Sequence, residues 1–235
     1  MTRAARSDSV SDMLLRAIAV CLLALLLPAD APAQDLSASA GRLERLGVSG
    51  TCSATLVRPD VAVTAAHCVR PDQVRQGDAP QLFFRPGWPR DAGRMAVVDV
   101  VRHPLYAPAR EGERWRFPFD IAVVRLARAL PERVNPPLAL GRPPEPGEYL
   151  TLVSWKKDQD APVLRPCQVV PGVEALVTIA CRVAGGESGG AVIRAGNGAP
   201  EIVAVLTSRA QIGSLPVGQA SALELRLAPM LHRLD

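Results

Sequence analysis

His67, Asp120 and Ser188 are the residues of this 235-residue chain whose types and settings could do chemistry together. His67 stands in VTAAHCV, directly after a strand-like run and beside Cys68. Asp120 heads DIAVVRL, a polar residue immediately before a run apolar enough to be buried. Ser188 lies in GGESGGAV, with glycines on both sides. A nucleophilic serine must be exposed and must have a base to take its proton. Flanking glycines permit a tight, exposed turn and let backbone N–H groups converge on one point. An imidazole held by a carboxylate supplies the base. The chemistry implied is acyl transfer through a serine nucleophile.

The other two histidines, His103 in RHPLY and His232 near the C-terminus, read as structural. No CxxC or HxxxH spacing is present, so no metal site is expected.

The elements that must position these residues are short strands. Hydrophobic residues make up 48% of the chain, enough for a real core, while aromatics are scarce and Pro (22) and Gly (18) plentiful. That balance favours strands and turns over long helices. Strand-like runs fall at 52–57, 61–65, 81–84, 95–101 and 121–126. After the Pro-rich stretch NPPLALGRPPEPGE (135–148) they resume at 149–155, 163–170, 175–183, 191–195 and 201–208. So many prolines cannot hold a central strand, so 135–148 reads as a linker. The tail SALELRLAPMLHRLD spaces its leucines for a short helix. The expected fold is all-β. A first small barrel spans 34–134 with His67 and Asp120, and a second spans 149–235 with Ser188 and the terminal helix. The cleft between two such halves is the natural place for a site.

The N-terminus reads as an export signal. Arg3, Arg6 and Arg16 precede the apolar run Ala17–Leu27, and Ala31-Pro32-Ala33 follows as a small-x-small exit. Residues 1–33 are therefore expected to be a signal peptide cleaved near Ala33–Gln34. The run is too short to span a bilayer, so no stable membrane association is expected after cleavage. Cys21 leaves with the signal. Cys52, Cys68, Cys167 and Cys181 remain for an oxidising compartment, periplasmic or extracellular. The formal charge is +4 and no run of five basic residues occurs, which leaves nucleic-acid binding without support. The protein is expected to be a monomer.

CSATLVRPDVAVTAAHC (52–68), HPLY (103–106), FDIAVVRL (119–126) and GESGGAV (186–192), in that order, resemble the chymotrypsin/trypsin family of serine endopeptidases, in its bacterial-type secreted form. The likeness runs from about Thr51 to the C-terminus. TAAHC and GxSGG with DIA between them make it specific, and His…Asp…Ser is the chain order of that family. It implies two six-stranded antiparallel β-barrels with the active site between them, peptide or protein substrates, and no cofactor. Ser188 Oγ would attack the scissile carbonyl, His67 would carry the proton, and Asp120 would hold the imidazole. The N–H groups of Gly186 and Ser188 would form the oxyanion hole. The resemblance also pairs Cys52 with Cys68, around the His67 loop, and Cys167 with Cys181. Activity is expected to fall away below about pH 6–7, where free imidazole becomes protonated.

The chain departs from the family pattern at three places. Glu187 stands before the serine where the family usually has Asp, which in zymogen-activated members pairs with a newly cut N-terminus. Residues 34–51 hold no activation sequence of the Arg-Ile-Val-Gly-Gly kind. Together these imply that signal removal alone suffices, with Glu187 meeting an internal partner or capping backbone donors. Third, the position six residues before Ser188, the base of the family's primary pocket, is Arg182. A buried Arg182 would favour acidic substrate side chains; if the short loop has moved, Arg182 points to solvent. Either way no Asp stands there to favour Lys or Arg. The rival to an active endopeptidase is a protease fold that has become a binding or regulatory module, and the same triad could also serve an esterase or transferase.

Overall fold

A computed structural model describes residues 35–234, apart from 49–50, 71, 73, 77–78, 88–92, 107–113, 158, 173–174 and 197. The expected signal peptide and Cys21 lie outside the described residues. Among the described residues no helix is long and apolar enough to cross a membrane.

The strands in chain order are β1 (Ala40–Arg45), β2 (Thr51–Arg58), β3 (Val61–Thr64), the two-residue pair β4 (Arg75–Gln76) and β5 (Ala79–Pro80), β6 (Leu82–Pro86), β7 (Met95–Arg102) and β8 (Ala122–Leu126). β9 (Ala139–Leu140), β10 (Tyr149–Ser154), β11 (Val163–Val170), β12 (Leu176–Ile179), β13 (Ala191–Arg194), β14 (Glu201–Ile212) and β15 (Leu215–Ala222) follow, before helix α1 (Glu224–Leu231).

Six strands close the first barrel in the order β1-β2-β3-β8-β7-β6, all antiparallel. The second runs β13-β10-β11-β12-β15-β14 and is closed by the β13–β14 pairing. The architecture is thus two six-stranded antiparallel barrels and one C-terminal helix, as the resemblance implies. Closure removes the free sheet edges that would otherwise template association.

The linker and the segment before Ser188 differ from expectation. The Pro-rich stretch 135–148 contributes β9, which pairs in parallel with the start of β14 through Ala139↔Glu201 and Leu140↔Ile202. It lies outside the closed barrel, at an edge, where neighbouring prolines remove no ladder bond. The run expected at 175–183 stops as a strand at Ile179, and Cys181–Val183 leaves the sheet as the start of the loop that carries Ser188.

Each barrel has its own apolar filling. Leu43, Leu56, Phe84, Val97 and Val124 fill the first, and Leu150, Leu152, Ile179, Val192 and Leu206 the second. A third cluster joins them, with Val63, Ile121 and Val123 from the first barrel against Val153, Trp155 and Ile193 from the second. α1 seals this seam with Leu227 and Met230, both buried. β3 and β8 present buried side chains on both faces because one face fills the barrel and the other the seam. A shift of β3 or β8 would therefore disturb both the filling of the first barrel and the seam.

Candidate active site

His67 sits in a one-turn 3-10 helix, Ala66–Cys68, at the end of β3. Ala65 and Ala66 are wholly buried, while the imidazole is 36% exposed. The disulfide Cys52–Cys68 ties this turn to the start of β2, with Cα atoms 6.1 Å apart. Asp120 emerges from a 3-10 segment, Arg114–Phe119, just before β8, and its carboxylate is buried. Both carboxylate oxygens grip His67. Oδ1 accepts the His67 backbone N–H at 2.9 Å and Oδ2 meets Nδ1 at 2.7 Å. A carboxylate at Nδ1 selects the tautomer protonated there, which leaves the lone pair of Nε2 free.

Ser188 lies in the loop between Cys181 and β13, partly exposed. Its carbonyl accepts the N–H of Ser53 at 2.7 Å. Ser53, next to Cys52, is fully buried and bridges the two barrels. Its carbonyl accepts from Thr64 Oγ1 at 2.7 Å, and its hydroxyl accepts the Trp155 N–H at 2.8 Å while lying 3.4 Å from the Gly186 carbonyl. Gly189, at φ +79°, presses on the same spot: a Cβ there would fall 2.0 Å from the Ser53 carbonyl and 2.3 Å from Thr64 Oγ1. Only glycine fits so close a backbone approach. Ser188 is thus tied through its carbonyl to Ser53, whose neighbour Cys52 is bonded to Cys68, the residue after His67. Among the described residues no hydrogen bond joins Ser188 Oγ to His67. Catalytic contacts of this kind commonly tighten only when substrate is bound.

The loop's backbone donors divide sharply. Glu187 N–H bonds the Ala184 carbonyl, Gly189 N–H the Leu206 carbonyl and Gly190 N–H the Glu187 carbonyl. The N–H groups of Gly186 and Ser188 have no partner among the described residues. Gly186 adopts φ +92°, and a Cβ there would fall 2.4 Å from the Lys157 backbone nitrogen.

Glu187 is fully buried and satisfied from within. Its Oε1 lies 2.5 Å from Arg165 Nη2 on β11, and its Oε2 accepts the Ala184 N–H at 3.0 Å. The other guanidinium arm, Nη1 of Arg165, donates to the Arg182 carbonyl. The disulfide Cys167–Cys181 joins the same two segments, so β11 holds the nucleophile loop by one covalent and one ionic tie. Arg182 itself is exposed and lines a cavity of about 400 Å³ that adjoins, but is not, the one bounded by Ser188.

The remaining histidines lie outside this cluster. His103 is buried, stacks on Phe119 with ring centroids 5.0 Å apart, and accepts the Leu105 N–H on Nδ1. Burial, and then the nearby Arg226 guanidinium, hold its pKa below the ordinary imidazole value. His232 caps the end of α1. The sulfurs of Cys52 and Cys68 approach His67 but are bonded to each other, which removes them as metal ligands.

Ser53, Thr64 and Arg165 escaped the sequence reading. Each looks like an ordinary polar residue of a strand, and no local signal announces partners 133, 11 and 22 residues away.

Comparison with known proteins agrees with this geometry. The trypsin family model matches residues 34–216, a span that includes both barrels' site loops. No curated protein gives a significant match. With that match over more than three quarters of its length, the chain belongs to the trypsin family of serine proteases.

Proposed function

We propose that the chain is a secreted serine endopeptidase acting through His67, Asp120 and Ser188. The observation that carries this is the two-oxygen grip of Asp120 on His67, which selects the Nδ1-protonated tautomer and leaves the Nε2 lone pair available as a base. Ser188 Oγ adds to the peptide carbonyl carbon as its proton passes to Nε2. The developing oxyanion takes the unoccupied N–H groups of Gly186 and Ser188, each such donor being worth about 3 kcal/mol in the transition state. Collapse breaks the C–N bond, the departing amine takes the proton from Nε2, and an ester to Ser188 remains. Water, deprotonated by His67, then hydrolyses that ester and restores the serine. Asp120 stays ionised throughout and stabilises the imidazolium.

Export fits two disulfides, which persist in oxidising compartments. Activity requires no newly cut N-terminus, because the buried carboxylate before the nucleophile already has Arg165 as its counter-ion.

A fluorophosphonate probe tests the reading. The disulfide-bonded protein is expected to be labelled at Ser188, and Ser188→Ala to stay unlabelled. A folded wild type that resists the probe contradicts the enzyme and leaves a binding module.

A further inference from the structure

Ser188 forms part of the wall of a cavity of about 310 Å³. That volume is at the lower end for ligand pockets and suits a single side chain. Val183 and Leu206 give it an apolar wall, and Ala184–Gly185 a backbone edge. Two polar side chains besides Ser188 complete it, Ser208 and Arg209. The Ser208 hydroxyl is already engaged with Gln219 Oε1 at 3.1 Å. The guanidinium of Arg209, exposed near the outer end of β14, has no hydrogen bond or ion pair among the described residues. Among the described residues no carboxylate lines the cavity. The nearest acid in sequence, Glu187, is fully buried and turned to Arg165.

Val183 and Arg209 also line the adjoining cavity of about 400 Å³, together with Arg182 and Gln211. The Arg182 guanidinium likewise has no partner among the described residues. Elsewhere Arg42, Arg70, Arg142, Arg165 and Arg194 each meet a carboxylate of the chain itself. The two beside the nucleophile keep their fork of donors unused, in the geometry that matches a carboxylate bidentately.

We propose that the enzyme cleaves after acidic side chains, with Arg209 binding the substrate carboxylate and Arg182 reinforcing it from the adjoining cavity. This rests on the protease reading above. The methylenes of the substrate side chain pack on Val183 and Leu206, and its carboxylate takes the Arg209 donors. A lysine or arginine there would meet like charge, with no acid among the described lining residues to offset it.

The test uses one peptide sequence carrying Glu, Gln or Lys before the cut. Wild type is expected to prefer Glu over Gln by at least about tenfold in kcat/KM. Molar salt should compress that preference, because the guanidinium is exposed. Arg209→Ala is expected to bring the Glu/Gln ratio near one, Arg209→Lys to retain part of it, and Arg209→Glu to favour the Lys peptide. Arg182→Ala should lower the ratio less than Arg209→Ala. Unfolding midpoints of the variants, compared with wild type, establish that they are folded. A fluorophosphonate-reactive wild type that cleaves Gln as readily as Glu, or an Arg209→Ala with an unchanged ratio, overturns the acidic pocket alone. A protein that neither labels nor cleaves any peptide overturns the protease reading and this pocket with it.

Discussion

Arg165 Nη2 stands 2.5 Å from Glu187 Oε1, and this ion pair closes the nucleophile loop from behind, with the carboxylate entirely buried. A buried carboxylate is tolerated only when its charge is answered in place. Here the answer comes from the neighbouring strand β11, and Ala184 N–H satisfies the second oxygen. The turn between Gly186 and Ser188 is consequently set by a bond internal to the fold.

Removing the guanidinium leaves that charge without a partner. Arg165→Ala should destabilise by about 3 kcal/mol, the low end for a broken buried pair since Arg165 keeps some exposure. Its kcat should fall more than its KM rises, because the loop's donors act on the transition state. Added guanidinium ion should restore part of the rate. Wild type should be active after signal removal alone, as followed by intact mass. Activity that appears only after a further cut within 34–51 contradicts the role given to Arg165.

Asp120→Asn replaces an acceptor that fixes the His67 tautomer with an amide that can donate to Nδ1. A loss of about 10⁴-fold in kcat is expected, with KM and the unfolding midpoint little changed. Steady-state kinetics on one peptide decide it. A loss under tenfold means that Asp120 does not steer the imidazole.

Ser53→Ala deletes the hydroxyl that accepts the Trp155 N–H across the barrel seam. It leaves that buried N–H unsatisfied, at a cost of about 1–3 kcal/mol. The effect is measurable by denaturant unfolding. Fluorophosphonate labelling should slow as well, since the same hydroxyl faces the Gly186 carbonyl.

Burial of His103 makes the fold sensitive to acid. Its pKa is lowered from 6.5 in the folded state, so the unfolded chain binds the proton first. The contribution to stability is therefore complete above about pH 6.5 and declines as the pH falls below it. His103→Asn, uncharged and still able to accept a hydrogen bond, should flatten the slope just below pH 6.5. Urea midpoints at pH 7.5, 6.5 and 5.5 measure it.

Much of the fold was legible because its strands carry dense apolar runs. β3 and β8 are buried on both faces, and their sequences show it. β1 and β15 were missed for the converse reason: AGRLER and LPVGQASA hold charged, small or proline residues and become strands through their neighbours. Cys181–Val183 reads as strand but leaves the sheet, because a disulfide and the Arg165 contact hold it as a loop.

By itself the sequence determined the two barrels, the positions of His67 and Asp120 beside strand ends, and the glycine-flanked turn at Ser188. These follow from local rules, namely apolar patterning, turn chemistry and motif order. Only the tertiary structure decided that Ser53 would bridge the barrels, that Arg165 would answer Glu187, and that Arg209 rather than Arg182 would share a cavity with Ser188. Those contacts are made between segments distant in the chain, and their strength depends on burial and direction that no single stretch of residues encodes.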